Sequence, residues 1–430
     1  MIRIALLAVA LASPAAAALT KPEARMVAAV ATGEAKSLAL LEELVNQNSG
    51  SNNIAGVTAV GVIMRRELDA LGLKTRWIPL PQTGRAGHLI ATNAGKPGAK
   101  RLLLIGHLDT VFEPDSPFQK YVREGDKARG PGVADDKGGM VTLLAALAAM
   151  KAAGTLAAAN LEIVLTGDEE STGKPTETAR ADLIAAGKRA DAALDFEGLV
   201  RIDGRDMGSI ARRSSNSWTL RTTGKAGHSS LIFGTEYGDG AVFELTRIVA
   251  AFRAELPETN LTFNVGLIAG GATAALDTDT TRATATGKPN IIPGLGIARG
   301  DFRTLSQAQT ERVRAKMSAI VARHAAGTGA EIVFDEGYPP MAPTAGNRAL
   351  LARLNIVNRD LTLPEMPELD PLRRGAGDIA FVAADVDGLV GLGPTSSGDH
   401  SPDEIVDVPS IFTQAKRAAI LMSRLAAEKR

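Results

Sequence analysis

The sequence predicts an α/β protein: a mostly parallel central sheet flanked by helices, with a smaller α+β unit inserted into it. Three observations predict this. Apolar runs at Arg101–Gly106, Asn160–Thr166 and Ala190–Phe196 read as strands buried on both faces and alternate with helical patterns. The texture then changes near Gly208, where strands alternate apolar and polar residues in antiparallel fashion. Finally, the Gly/Pro-rich stretch Gly337–Pro343 returns the chain to the first type of pattern.

In order along the chain, Lys21–Ala70 predicts two helices split by the Asn/Ser/Gly turn at Asn46–Asn53, and Lys74–Pro79 and Gly87–Ala91 predict short strands. Met140, Leu143, Leu144, Leu147 and Met150 repeat at helical spacing, with Gly154 placed to stop that helix. Strand, helix, strand, helix, strand implies right-handed βαβ crossovers. The second pattern predicts strands at Ser217–Thr223, Leu261–Ala269, Arg282–Thr286, Gly296–Arg303 and Ala330–Phe334, and helices at Ala241–Phe252 and Ser306–Ala325, the latter opened by Ser306 with Gln309 in capping-box position. After it come a helix at Asn347–Asn358, a loop at Arg374–Asp378, a strand at Gly388–Leu392 and a C-terminal helix at Pro409–Ala427. The expected division is 1–18 as a signal peptide, 19–208 and 337–430 as the larger domain, and 209–336 as the insert.

The 430 residues are 45% hydrophobic, enough for a large core and more than one domain. Lys plus Arg and Asp plus Glu number 48 each, which excludes the basic footprint of a nucleic-acid binder. Met1–Arg3 is a short positive start, Ile4–Ala12 an apolar run, and Ala15–Ala18 contains an Ala-x-Ala pattern. Together they read as a cleaved secretory signal, too short to span a membrane, and predict a periplasmic or secreted protein. With no cysteine in the chain, any metal site is built from His, Asp and Glu.

The chemistry centres on Gly130–Gly139, GPGVADDKGG, a glycine-rich loop presenting two aspartates just before a helix. Alone it suits either a cation or a phosphate. Its neighbours decide. His107 ends a strand in GHLDT, where open α/β sheets place ligands, and Asp109 follows where it could fix the tautomer of a metal-bound imidazole. Later strand ends and loops supply Asp168-Glu169-Glu170, Asp195-Phe196-Glu197 and Asp399-His400. So many carboxylates facing one crevice need a compensating cation, and a His/carboxylate set without Cys suits a pair of zinc-type ions. His88 and His324 read as packed, non-functional histidines.

With these motifs in hand, the chain resembles the M20 metallopeptidases, closest to the glutamate carboxypeptidase branch. The resemblance rests on His107-Leu-Asp109, the Gly130–Gly139 loop with Asp135, Asp168-Glu169-Glu170, Glu197 and His400, in order along nearly the whole mature chain. It implies a zinc-exopeptidase-type catalytic domain with a ferredoxin-like lid that also makes a homodimer. It implies two Zn²⁺ per subunit, for which Co²⁺ can substitute. His107 and Glu197 would hold one ion, Glu170 and His400 the other, and Asp135 would bridge them. At the third motif Glu197 is preferred over Asp195, because Phe196-Glu197-Gly198 matches the carboxypeptidase form. Asp109 and Glu169 would be catalytic, Glu169 as the general base that passes a proton from water to the leaving amine.

In the insert, His228 would reach across the dimer to stabilise the oxyanion, and Asn290 and Arg303 would hold the substrate's terminal carboxylate. Gly375, in the Gly375–Asp378 loop, would line the substrate. The family further implies a cis peptide between Asp135 and Asp136. Changing Asp136 is expected to matter far less for metal binding than changing Asp135. The expected reaction is hydrolysis of an amide bond beside a free carboxylate, on a small peptide or N-acyl amino acid, releasing a glutamate-like residue. An aminoacylase, a dipeptidase or an N-succinyl-diamine desuccinylase uses the same signature. A periplasmic solute-binding protein fits the export signal and bilobal pattern but has no use for a free glutamate beside a ligand glutamate.

Overall fold

In the computed structural model, residues 19–430 are described; the apolar run Ile4–Ala12 and the Ala15–Ala18 pattern lie outside the described residues. The chain enters on the helix Lys21–Asn46, opened by Thr20 and Glu23 in a reciprocal capping box. After a turn comes the helix Ile54–Leu71, closed by Gly72 in the left-handed conformation. No helix among the described residues is long and apolar enough to cross a membrane.

The central sheet has six strands in the order Lys74–Pro79, Gly87–Asn93, Asn160–Thr166, Arg101–His107, Ala192–Asp195 and Gly388–Leu389. Asn160–Thr166, Arg101–His107, Ala192–Asp195 and Gly388–Leu389 run parallel, and Gly87–Asn93 is antiparallel to both its neighbours. The apolar run at 101–107 is explained by its two faces. Leu102 and Leu104 join the core formed with the helices Lys21–Asn46, Lys137–Ala153 and Val408–Ala426. Leu103 and Ile105 point the other way, into a core with Leu183 and Ala186 of the helix Thr176–Arg189. A strand covered on both sides has no polar face to alternate.

The inserted unit has its own antiparallel sheet, in the order Thr262–Gly271, Leu295–Arg303, Asn216–Gly224 and Thr328–Phe334. Numbered along the chain this is 4-1-3-2 read from the Thr328 edge, the ferredoxin-like arrangement. Trp218, Leu220, Leu245, Ile248, Phe252, Val313 and Met317 form a separate core under its two helices. The chain enters and leaves this unit on two segments that pair with each other, through the bridges Arg212–Met341 and Ser215–Tyr338.

The strand expected at Arg282–Thr286 forms as Ala283–Thr286 and pairs in a hairpin with Thr273–Leu276, apart from the four-stranded sheet. One expectation changes. His324 is exposed just beyond the helix Gln307–Ala322, not packed within its apolar series. By contrast His88 is buried: its Nδ1 accepts from the Gly167 amide at 3.1 Å and its Nε2 donates to the Ala179 carbonyl at 2.7 Å.

Candidate metal centre

His107, Glu169, Glu170 and Glu197 all follow the carboxyl ends of parallel strands, where an open sheet forms its crevice. The remaining ligand-type residues arrive on loops. Asp135 sits in the Gly130–Gly139 loop before the helix Lys137–Ala153. His400 sits at the tip of a hairpin between Ser396–Ser397 and Ile405–Asp407, and the second arm of that hairpin pairs with Lys127–Arg129. This small sheet explains how residues 265 positions apart meet: it holds the His400 hairpin against the start of the Asp135 loop.

Asp135 occupies the middle of the cluster. Its Oδ1 lies 3.0 Å from His107 Nε2 and its Oδ2 lies 3.1 Å from His400 Nε2. His400 Nε2 is also 3.2 Å from Glu170 Oε2. Asp135, Glu170 and His400 each turn one ligand atom to within 4.8 Å of the others, and so do His107, Glu169 and Glu170. The Asp135–Asp136 peptide is cis, as the resemblance implies. Gly132 in this loop has φ +70°, and a side chain there would also strike Thr110, so the backbone path requires glycine.

Asp109 is buried and fully engaged. Its oxygens accept from the Ser51 hydroxyl at 2.6 Å and from the Glu169 and Glu170 amides at 2.9 and 3.1 Å. It also lies 3.4 Å from His107 Nδ1, so one carboxylate orients the imidazole and the Glu169–Glu170 turn together. From the other side, the Tyr338 hydroxyl donates to the Glu169 carbonyl at 2.7 Å. Held by its backbone at both ends, Glu169 has only its side chain free to act.

The electrostatics reflect crowding. Burial, with Glu197 next, pushes the Glu169 carboxyl well above its usual range. Burial and the Asp135 charge raise Glu170 to about 7. Hydrogen bonds to Asp135 and Glu170 raise His400 to about 11. Asp135 is drawn down, the two imidazoles outweighing its burial, and Asp109 is drawn down too, its His107, Ser51 and amide contacts outweighing its burial.

Other expected residues lie differently. Glu197 falls outside both compact groups. Its Oε2 contacts Arg212 Nη1 and lies 3.6 Å from Arg374 Nη2. Asp195 beside it lies 3.4 Å from Arg212 Nη1, and burial, then Glu197, raises it to about 7. Asp136 is fully buried and its Oδ2 accepts the His107 amide at 3.1 Å. It anchors the backbone of a ligand-type residue. In the inserted unit, His228 is exposed, with Nδ1 at 2.9 Å from the Ser230 hydroxyl, and Asn290 lies beside it, its carbonyl accepting the Ser229 amide. Neither has a recorded contact with the metal-type cluster. Arg303 Nε lies 3.4 Å from Asp301, and its guanidinium reaches the neighbourhood of Gly375.

Several supporting residues gave no sequence signal by themselves. Glu404 accepts the Gly132, Ala134 and Asp135 amides at 2.9 to 3.2 Å and so fixes the central loop. Its position four residues after His400 was the one available clue. Arg180, fully buried, bonds Asp168 at 2.6 Å and Asp378 at 2.8 Å, tying the Glu169 turn to the Gly375–Asp378 loop.

A family model described as peptidase family M20/M25/M40 matches residues 103–424. The chain belongs to this family. Carboxypeptidase G2 from Pseudomonas sp. (strain RS-16) is 28% identical over 406 residues, covering 90% of this chain and 89% of that protein. Succinyl-diaminopimelate desuccinylase from Variovorax paradoxus (strain S110) is 26% identical, covering 88% and 95%. An M20 family metallo-carboxypeptidase from Sulfolobus solfataricus superposes with a TM-score of 0.69 at 17% identity, covering 91% of this chain and all of that one (100%). The M20 membership makes this chain a metallopeptidase-type hydrolase, and it removes the solute-binding alternative.

Proposed function

We propose that this M20 hydrolase uses two zinc-type ions to cleave an amide bond beside a free carboxylate, releasing a glutamate-like amino acid from a small peptide or N-acyl amino acid. The observation that carries the reading is the Asp135 carboxylate, with one oxygen at each of two imidazoles, 3.0 and 3.1 Å away. The donor set fits such ions. It offers imidazole nitrogen and carboxylate oxygen, and Glu169 and Glu170 are pushed upward by burial and by neighbouring carboxylates, a deficit of positive charge that cations relieve.

His107 and Glu197 would serve one ion, His400 and Glu170 the other, with Asp135 between. Both guanidinium contacts of Glu197 fall on Oε2, leaving Oε1 for that purpose. When bound, the ions supply Lewis acidity and lower the pKa of water. Glu169 takes the proton from the attacking water and delivers it to the departing nitrogen, while Asp109 keeps its backbone and the His107 ring in place. Arg303 and Asn290 hold the substrate carboxylate, and His228 acts from a second copy of the chain, in keeping with its exposure.

Glu169→Gln should retain metal, measured as bound zinc per chain, and lose turnover by roughly a hundredfold to ten-thousandfold. Normal hydrolysis by that variant would remove Glu169 from the role. Removal of a succinyl group from an N-succinyl amine is the second reading, favoured by the desuccinylase relative that spans the same length. Export rests on the N-terminal pattern; N-terminal sequencing of periplasmic material that begins near Leu19 would support it.

A further inference from the structure

The cleft beside the metal-type cluster is lined by Asp135, Glu197, Arg212, Arg374, Asp399 and His400. Its two inner arginines are in opposite states. Arg212 is saturated: its Nε donates to the Gly375 carbonyl at 3.0 Å, its Nη2 to the Ala376 carbonyl, and its Nη1 faces Asp195 and Glu197. Arg374 is not. Its side chain is only 12% exposed, yet Nε and Nη2 are buried without any hydrogen-bond partner. The 3.6 Å separation from Glu197 is too long for a hydrogen bond, and that oxygen already serves Arg212. Burial and the Arg212 charge both work against the Arg374 cation. A guanidinium held out of water with donors unused is a costly arrangement, and a planar carboxylate is the group that fits its fork.

A second guanidinium comes from the inserted unit. Arg303 Nη1 would stand 3.9 Å from a methyl placed on Gly375, the residue that follows Arg374. Two arginines from different parts of the fold therefore flank one short loop. Arg303 is already taken up by the carboxylate next to the scissile amide, in the reading proposed above and on which this inference rests. We propose that Arg374 forms a second anion subsite that receives a further carboxylate of the substrate, so that the preferred substrate is a dicarboxylate. The second carboxylate belongs either to the side chain of the released amino acid or to the acyl group.

The test uses metal-loaded wild type, Arg374→Gln and Arg374→Lys. N-acetylglutamate is compared with N-acetylglutamine, and N-succinylalanine with N-acetylalanine. Wild type should prefer the dicarboxylate of one pair, which tells the two sources apart. Arg374→Gln should erase that preference by lowering kcat/KM for the dicarboxylate roughly tenfold to hundredfold while its control moves less than about threefold. Arg374→Lys should keep part of the preference. A uniform loss on every substrate would show that Arg374 only supports Glu197, and would overturn the proposal, as would a wild type without preference in either pair. Calorimetric binding of glutarate against butyrate reads the subsite without turnover. Tighter glutarate binding, lost in Arg374→Gln, upholds the subsite even if no amide is cleaved; equal binding by wild type overturns it.

Discussion

Glu170 and Glu258 both sit beside cationic groups, yet burial pushes Glu170 up to about 7 while the hydrogen bond from Arg312 draws Glu258 down to about 2. The first belongs to the end of the central sheet, the second to the inserted unit. At the sheet end, carboxylates crowd one another out of water: Asp109, Asp135, Glu169 and Glu170 share a few ångströms with two imidazoles. In the inserted unit, acids meet their own bases near the surface, as in Glu258 with Arg312 and Lys316 and Glu255 with Arg323. The second pattern is neutralised within the unit and needs no bound ion to complete it. The first opposes folding by itself and makes sense when cations complete it.

The largest test of this contrast, apart from Glu169, is Arg180. It is the one cation inside the acidic end that bonds both Asp168 and Asp378, and all its side-chain nitrogens are engaged. Arg180→Met leaves two buried carboxylates without a counter-charge and should cost about 3–5 kcal/mol in urea unfolding. Replacing the two aspartates by asparagine in the same background should recover part of the loss. A cost below about 1 kcal/mol would show that the acidic end tolerates its own charge and would dissolve the contrast.

The parallel strands were legible because their two-sided burial leaves continuous apolar runs, and four of the five ligand-type residues are brought together as the motif order implies. Legibility ended where the partner is remote in sequence. Nothing around Glu197 announces Arg212 or Arg374, because the chain passes through the junction with the inserted unit before supplying one and returns much later with the other. The anchoring role of Asp136 was not legible because its amide acceptance from His107 depends on the loop path, which no spacing rule encodes. Arg282–Thr286 was legible as a strand, but its partner Thr273–Leu276 was not, because local alternation identifies a strand and not its neighbour.

A smaller effect follows from pH on the metal-free protein. Glu170 and Asp195 titrate near 7 in the folded state, against roughly 4 in an unfolded chain. Folded protein therefore binds more protons between those values, and the stability these groups give at low pH is lost as pH rises through 7. The raised histidines act in the same direction above about 6.5. The metal-free Tm should fall between pH 5 and pH 8. Zinc at saturating concentration should abolish the fall, because cations then replace the protons. A metal-free Tm that climbs over this range would contradict the crowding described for the sheet end.

The smallest effect belongs to the inserted unit and carries the opposite sign. Glu258 accepts from Arg312 at 2.7 Å and from Gln309 at 2.8 Å, with Lys316 at 3.4 Å. Its folded pKa is depressed, so its contribution is present above the unfolded value near 4.3 and is lost as pH falls toward 2. The pairs are surface pairs, with Arg312 half exposed, so solvent screening keeps the gain small. Glu258→Gln should cost about 0.2–1 kcal/mol at pH 7, and the cost should shrink as pH falls toward 2, where the wild-type carboxylate is becoming protonated. Added salt should shrink the difference at pH 7 while leaving the metal-dependent pH response of the sheet end in place, because buried pairs are screened far less. If salt instead erased both responses, the two regions would differ in position but not in kind.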